Sequence, residues 1–218
     1  MAKNIIDFLL DFFYPQRCMG CGKRENYKSG GVCLNCLKKI DYPTILKYNN
    51  IFAATDYNDP LIQKIIWSLK YHGIKQLAKP LGRLIIQRLS EKIKFDDYDI
   101  FIPIPVSKSR SRERGFNQTE LIAHQIRANI GSDDNIKVLP NVLLKIKETP
   151  SQVSLKDRNK RLNNIKGSFG IKNAELIKNK NIIIIDDVST TGATIKEAAK
   201  ILKRAGAKRV IAIVVARG

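Results

Sequence analysis

The stretch Ile-Ile-Ile-Ile-Asp-Asp-Val-Ser-Thr-Thr-Gly-Ala-Thr-Ile, residues 182–195, decides the fold of this chain. Its four consecutive isoleucines predict a strand that is buried on both faces, as in a parallel sheet. Two carboxylates, Asp186 and Asp187, follow at the carboxyl end of that strand, and a turn of small and hydroxyl-bearing residues comes next. From Ile195 to Arg204 the apolar periodicity predicts a helix.

This succession suits a phosphorylated sugar. Free backbone N–H groups and the positive end of a helix dipole can hold a phosphate monoester, and Gly192 lets the backbone approach the anion closely. The two carboxylates cannot bind that phosphate, but they can accept hydrogen bonds from ribose hydroxyls or hold Mg²⁺ directly or through water. The predicted phosphate-binding turn consists of Ser189, Thr190, Thr191, Gly192, Ala193 and Thr194.

The alternative is a buried strand that leads to an N-capped helix, in which Asp and Thr serve only as turn and cap residues. Two adjacent acids before Thr-Thr-Gly-x-Thr make this alternative the weaker one. The stretch resembles the PRPP-binding loop of type I phosphoribosyltransferases. The resemblance implies that Asp186 and Asp187 hold the ribose hydroxyls of PRPP, together with Mg²⁺, while the turn holds its 5-phosphate.

All four cysteines of the chain lie in two Cys-x-x-Cys pairs, with eleven residues between the pairs. This spacing predicts four thiolates arranged tetrahedrally around one structural Zn²⁺, which would fold a segment too small to have its own core. Two disulfides are disfavoured in a cytosolic chain. The predicted ligands are Cys18, Cys21, Cys33 and Cys36.

The chain has 218 residues and a formal net charge of +19, of which +11 lies beyond residue 144. Such a field attracts polyanions, although a Lys-rich solvated surface is an equally good explanation of charge alone. No apolar run reaches transmembrane length and no signal peptide is evident, so we expect a cytoplasmic protein.

Residues 4–14 predict a short helix that Pro15 stops. Its polar stripe carries Asp7 and Asp11, and acidic groups repel anionic lipid. We therefore expect this helix to dock on the body of the protein or on a partner, and peripheral membrane association is the other option left open.

Residues 51–57 predict the first strand of the main domain, and residues 61–70 and 75–92 predict two helices. Between the helices, Lys-Tyr-His-Gly predicts a helix C-cap with Gly at the left-handed position. The phosphoribosyltransferase resemblance implies that this segment binds pyrophosphate, with Lys70 neutralising the leaving group. The segment comprises Lys70, Tyr71, His72 and Gly73.

Residues 99–106 predict a strand with prolines near its end, and residues 107–118 predict a basic loop that is mobile until an anion orders it. Strand, prolines, Arg-x-Arg-Gly-Phe-Asn-Gln, the four-cysteine head and the Asp-Asp loop together resemble the competence protein ComF family. The stretches 152–155 and 163–169 also fit that family, so the resemblance covers nearly the whole chain. The candidate loop and DNA-binding residues are Lys108, Arg110, Arg112, Arg114, Arg158 and Arg161.

We therefore expect an α/β fold of the type I phosphoribosyltransferase kind, a mostly parallel sheet flanked by helices and preceded by a small zinc-knuckle module. The predicted domains are residues 1–48, with the N-terminal helix and the zinc module, and residues 49–218. The site should lie at the carboxyl ends of the strands.

Two functional hypotheses follow. The ComF resemblance implies a DNA-uptake protein for natural transformation that handles incoming single-stranded DNA, with other DNA-uptake proteins as partners. The alternative is a nucleotide-salvage phosphoribosyltransferase, in which an acceptor displaces pyrophosphate at the anomeric carbon and Asp186, Asp187 and Lys70 serve catalysis. We expect no base-selecting hood after the last strand, and no aromatic platform for a base is evident, which favours the first hypothesis.

Overall fold

The structure is a computed structural model, and it describes residues 16–25, 30–43, 47–48, 50–130, 136–147 and 165–218. The predicted N-terminal helix, the stretch 152–155, Arg158 and Arg161 lie outside these residues. The strands are β1 (Gln16–Arg17), β2 (Arg24–Glu25), β3 (Lys47–Tyr48), β4 (Ile51–Asp56), β5 (Ile100–Pro103), β6 (Lys137–Val138), β7 (Leu143–Lys145), β8 (Phe169–Ile171), β9 (Asn181–Ser189) and β10 (Arg209–Arg217). The α-helices are α1 (Leu34–Lys39), α2 (Pro60–Tyr71), α3 (Ala78–Leu89), α4 (Lys108–Arg114), α5 (Gln118–Ile130) and α6 (Ala193–Arg204). Short 3-10 helices lie at Lys75–Leu77, Phe95–Asp97 and Ala174–Ile177.

A six-stranded sheet in the order β3-β4-β10-β9-β5-β6 forms the centre of the fold. Only the edge strand β3 runs antiparallel to its neighbour, and the other pairs are parallel. The four isoleucines of β9 have no exposed surface, because neighbouring strands flank them and helices cover both faces. The mostly parallel sheet predicted from these residues is confirmed.

The two faces of the sheet carry different layers. One apolar cluster joins β9 residues such as Ile183 and Ile185 to helices α2, α3 and α5. The other joins Ile182 and Ile184 to α6 and to the β7–β8 pair. Alternation of side chains along a strand thus divides the core into two halves.

The cysteine module packs directly on the first of these layers. Cys18, Val32 and Leu37 belong to the same buried cluster as the apolar side of α2. On α3, Arg88 is buried; its Nη2 donates to the Ile40 carbonyl at 2.6 Å, and its guanidinium lies 3.4 Å from the centroid of the Tyr42 ring. The module therefore shares a core with the sheet domain, which compensates for its small size.

Several predicted boundaries differ from those observed. Helix α6 begins at Ala193, two residues earlier than the periodicity indicated, because Gly192 in the left-handed conformation starts it. The helix expected over 75–92 is a 3-10 turn at Lys75–Leu77 followed by α3. Apolar periodicity does not distinguish a 3-10 turn from the first turn of an α-helix.

In the part of the chain that the structure describes, no helix has both the length and the apolar composition needed to cross a bilayer.

Candidate functional site

The connections of the sheet reverse direction between β5 and β9. Their pairing ends at Pro103 and Ile185, whereas β9 continues beside β10 as far as Ser189. Helix α5, which lies between β5 and β6 in the chain, packs on one face of the sheet. Helix α6, which follows β9, packs on the other face. Neighbouring strands whose connections leave to opposite faces form the usual ligand crevice of an open α/β sheet.

Strand β9 includes both acids instead of ending before them. Asp186 and Asp187 lie within β9, because β10 continues to pair with it beyond the isoleucines. The prediction that the strand ends before the acids is therefore wrong by a few residues. The acids are still at its carboxyl end, but the alternation of the strand directs their side chains to opposite faces.

Asp187 is buried and both of its oxygens are engaged. Lys70 Nζ donates to Oδ1 at 2.6 Å, and Gln118 Nε2 donates to Oδ2 at 2.7 Å. Gln118, also buried, accepts from Arg114 Nη1 at 3.0 Å through its Oε1. A charge-assisted network therefore fixes this carboxylate in place and connects it to α4.

Asp186 has a different environment. The residue as a whole is partly exposed, but its carboxyl group is desolvated, and Oδ1 accepts a hydrogen bond from the Asp187 N–H at 2.9 Å. Desolvation, reinforced by the negative charge of Asp187, raises the pKa of Asp186 from 3.8 to about 8, although Lys70 and Lys145 act in the opposite direction. A bound cation or hydroxyl donors would favour its charged form, so this carboxylate suits a ligand that supplies them.

The turn after β9 is built around Gly192. Its φ of +73° is left-handed, and a Cβ there would lie 2.9 Å from Ile51 Cδ1, so only glycine fits without displacement. The Ala193 N–H donates to Thr191 Oγ1 at 3.3 Å, and Gly192 offers no side chain to cap α6. Thr190 is exposed and Thr191 and Thr194 are partly exposed beside this helix start, where backbone N–H groups attract anions.

The segment 70–73 ends helix α2. Gly73 has a φ of +66°, as predicted for a helix C-cap. Lys70 forms an ion pair with Asp187, whereas Tyr71 and His72 are exposed. The structure thus brings the predicted lysine to one of the two predicted acids, although 116 residues separate Lys70 from Asp187 in the chain.

The predicted mobile basic loop at 107–118 is instead mainly helical. The Ser107 hydroxyl accepts from the Arg110 N–H at the start of α4, and Gly115 ends the helix with a φ of +72°. These cap residues are a helix signal in the sequence that the run of arginines obscured. Lys108 and Arg112 are exposed, and Arg110 and Arg114 are partly exposed.

The four cysteines converge as predicted. Their sulfur atoms all lie within 4.8 Å of one another, and Cys21 Sγ and Cys33 Sγ are 3.9 Å apart. Tetrahedral Zn²⁺ with Zn–S bonds of about 2.3 Å separates its sulfurs by about 3.8 Å, so the set fits this ion. The Cys33 and Cys36 N–H groups donate to Cys18 Sγ and Cys33 Sγ, as is favourable for thiolate ligands.

Comparison with known families agrees with this geometry. A model of the phosphoribosyl transferase domain matches residues 73–218, more than half of the chain. The chain belongs to the phosphoribosyl transferase domain family. A model of the double zinc ribbon domain matches residues 9–45, which include all four cysteines and indicate zinc as their ion. Lys70 lies just before the matched phosphoribosyl transferase region.

Curated relatives extend the resemblance over most of the chain. Competence protein F of Haemophilus influenzae is 26% identical over 200 residues, which cover 88% of this chain and 81% of that protein. DNA utilization protein YhgH of Salmonella typhi is 28% identical, with 88% and 80% covered, and competence protein ComFC of Bacillus subtilis is 29% identical, with 87% and 72% covered. The predicted resemblance to the ComF family is confirmed.

A search of solved structures matches part of this chain to two enzymes. The glutamine PRPP amidotransferase of B. subtilis has 15% identity and a TM-score of 0.39, covering 65% of this chain and 26% of that one. The purine phosphoribosyltransferase of Pyrococcus horikoshii has 19% identity and a TM-score of 0.35, covering 63% and 83%.

Gln118 and Lys145 are site residues that the sequence analysis missed. Gln118 stands at the end of the Arg-x-Arg-Gly-Phe-Asn-Gln stretch used for the family resemblance, yet nothing in that stretch indicates which of its polar residues turns inward. Lys145 acts on Asp186 from β7, a strand outside the main sheet. Their roles follow from tertiary packing.

Proposed function

We propose that this protein takes part in DNA utilisation or competence, and that its phosphoribosyltransferase-like domain binds Mg·PRPP while its basic surface handles single-stranded DNA. The observation that carries the proposal is the ion pair between Lys70 and Asp187, beside Asp186, at a strand end that leads directly into the 189–194 turn. The names of the curated relatives support the biological context.

In the proposed complex the 5-phosphate of PRPP lies on the turn, where Gly192 permits a close backbone approach. The ribose hydroxyls and Mg²⁺ are held by the acid pair. Asp186 is the more exposed of the two residues. Asp187 binds the ligand in place of one of its present partners, Lys70 or Gln118. Lys70 is then free to neutralise the pyrophosphate, with the backbone of 71–73 helping.

The proposal of DNA binding rests on charge and position. Helix α4 presents Lys108 and Arg112 to solvent, and Arg114 links that helix to the acid network through Gln118. With a net charge of +19, the protein should bind a polyanion by counterion release.

We further propose that the boundary between zinc module and main domain falls near residue 48.

The second candidate is a salvage enzyme that transfers phosphoribose from PRPP to a base. The intact acid pair within a matched phosphoribosyl transferase domain favours it. In that reaction the acceptor attacks the anomeric carbon, the bond from this carbon to the pyrophosphate oxygen breaks, and pyrophosphate leaves with both electrons. Catalysis would come from positioning and from neutralising the leaving charge.

Calorimetry of Mg·PRPP binding tests the shared part of both candidates. We expect the wild type to bind and the double variant Asp186→Asn, Asp187→Asn to show no binding, with zinc content and thermal unfolding confirming that both are folded. A folded, zinc-loaded wild type that binds no PRPP would overturn the PRPP proposal.

Two further assays separate the candidates. Pyrophosphate release from PRPP in the presence of a panel of free bases would support salvage, and its absence across purines and pyrimidines would count against it. Single-stranded DNA binding that weakens steeply with salt, and weakens further when Arg110, Arg112 and Arg114 are changed to Glu, would support DNA handling. Binding that is indifferent to salt would contradict an electrostatic interaction.

A further inference from the structure

Three aromatic residues form an exposed cluster at the end of helix α2. Trp67 is 51% exposed and Tyr71 is 52% exposed, and His72 is exposed beside them. The opposite side of the same helix is fully buried in the core through Ile62, Ile65 and Leu69. The aromatic side therefore faces solvent, and contiguous exposed apolar groups of this kind often mark a binding surface.

The rings are arranged so that none is enclosed by the others. Trp67 and His72 meet edge-on, with centroids 4.3 Å apart and an angle of 79° between the planes. Trp67 and Tyr71 are tilted by 46° with centroids 5.8 Å apart. The rings thus contact one another at their edges while about half of the Trp67 and Tyr71 surfaces stays exposed to solvent.

Cations border this cluster. The guanidinium carbon of Arg114 lies 5.0 Å from the centroid of the Tyr71 ring. Lys75 lies 5.2 Å from the centroid of the Phe116 ring, which joins the segments 73–75 and 115–117 at the same edge. Exposed aromatic rings flanked by Arg and Lys are the combination that binds single-stranded nucleic acids, because bases stack while phosphates pair with the cations.

We propose that Trp67, Tyr71 and His72 form a stacking platform for the unpaired bases of single-stranded DNA, with Arg114 and helix α4 holding the adjacent phosphates. The inference deepens the proposed function and rests on its DNA-handling part. Charge complementarity selects this occupant over a second apolar protein surface, because the cluster is bordered by cations. The proposal also assigns a base-binding role to Trp67, Tyr71 and His72, although no aromatic platform for a base was evident in the sequence.

Trp67 provides a direct readout, because it is the only tryptophan in the chain. An oligothymidylate of about 15 nucleotides, in the range of single-strand binding sites, is titrated into the full-length zinc-loaded protein while tryptophan emission is followed. An abasic oligonucleotide of the same length serves as the control that keeps the phosphates and removes the bases. We expect oligothymidylate to quench the emission and the abasic strand to bind more weakly without quenching.

Variants separate stacking from charge. Trp67→Ala should weaken oligothymidylate binding about 10-fold while changing abasic binding by less than 2-fold, measured by anisotropy of a labelled strand. Trp67→Phe, which keeps a ring, should retain most of the affinity. Leu176→Ala, which removes another half-exposed apolar side chain from the Ala174–Ile177 turn, should change neither.

The outcomes distinguish failure of the platform from failure of the function. If oligothymidylate binds with unchanged emission and Trp67→Ala binds it equally well, the platform is overturned while DNA handling stands, and the cluster belongs to a protein partner instead. If neither strand binds the folded wild type at low salt, DNA handling fails and the platform fails with it.

Discussion

Two regions are proposed to bind anionic ligands, yet they are built in opposite ways. The strand-end site consists of Asp186, Asp187, Lys70 and the 189–194 turn. The open surface consists of the exposed rings at the end of α2 and the basic side chains of α4. In the strand-end site Asp187 is buried and both its oxygens are bonded, and a Cβ at residue 192 would lie 2.9 Å from Ile51 Cδ1. The surface is open, with half-exposed rings and arginines. Rigid packing selects one small ligand by shape, whereas an open array of rings and cations accepts many sequences along a flexible strand.

Removal of Lys70 should give the largest effect. Lys70→Met removes the charged partner of the buried Asp187 carboxylate and leaves Gln118 as its side-chain partner among the described residues, so we expect a loss of roughly 2–3 kcal/mol in the free energy of unfolding. Lys180→Met is the matched control, because the Lys180–Asp99 pair is 3.1 Å long but exposed, and its loss should cost less than about 1 kcal/mol. Denaturant unfolding measures both, and equal losses would show that the strand-end network is no more enclosed than the surface.

Gly192→Ala tests the fit of the turn. The left-handed φ and the 2.9 Å contact with Ile51 should together cost about 2 kcal/mol and also lower PRPP affinity. Gly115→Ala has a similar φ, but within the described part of the chain nothing lies within 4 Å of its added Cβ, so about 1 kcal/mol is expected there. If thermal unfolding shows the same loss for both variants, the close contact contributes nothing beyond the backbone conformation.

Asp186→Asn tests whether the pKa of Asp186 is raised in the folded protein. Because burial raises the pKa of Asp186 to about 8, the folded state keeps a proton that the unfolded carboxyl releases near pH 4. The wild type therefore loses stability as pH rises from about 4 to about 8, and Asp186→Asn should be more stable by about 1–2 kcal/mol above pH 8. The measurement is the stability difference between the two proteins as a function of pH.

Asp99→Asn is the control of opposite sign. The pKa of Asp99 is lowered by the Asn181 N–H, whose effect exceeds that of desolvation, so its charged form stabilises the fold above its unfolded pKa. The variant should be less stable than the wild type at neutral pH, and the difference should vanish as the pH falls below the lowered value. A pH-independent difference for Asp186→Asn would contradict a raised pKa there.

Arg112→Glu changes only the open surface, and we expect it to have the smallest effect of these variants. Arg112 is exposed at the end of α4, so we expect an unchanged unfolding temperature and a 3- to 10-fold loss of single-stranded DNA affinity, or about 1 kcal/mol, with a shallower salt dependence. Lys172→Glu changes the net charge equally at an exposed position on the β7–β8 side and should have less effect. Equal losses would mean that net charge, and not helix α4, binds the strand.

Local sequence was sufficient for several features. The buried central strand, the cysteine cluster and the glycine-containing turn were predicted because each depends on residues that lie close together in the chain. Short-range rules fail where a feature has competing signals: the arginines of 108–114 indicated a loop, although Ser107 and Gly115 cap a helix. The extension of β9 through both acids depended on pairing with β10, which no local rule supplies.

The sequence by itself determined the layered α/β sheet, the four-sulfur cluster and the acid-turn-helix succession, because periodicity, spacing and backbone preferences are local properties. Only the tertiary structure decided that Lys70, Gln118 and Asp187 meet, that Arg114 joins them, and that Trp67 faces solvent. Those contacts bring together side chains from α2, α4, α5 and β9, and the packing of α2 and α5 on the same face of the sheet helps to set the distances between them. The chemistry of each residue is therefore encoded locally, and its partners are chosen by the fold.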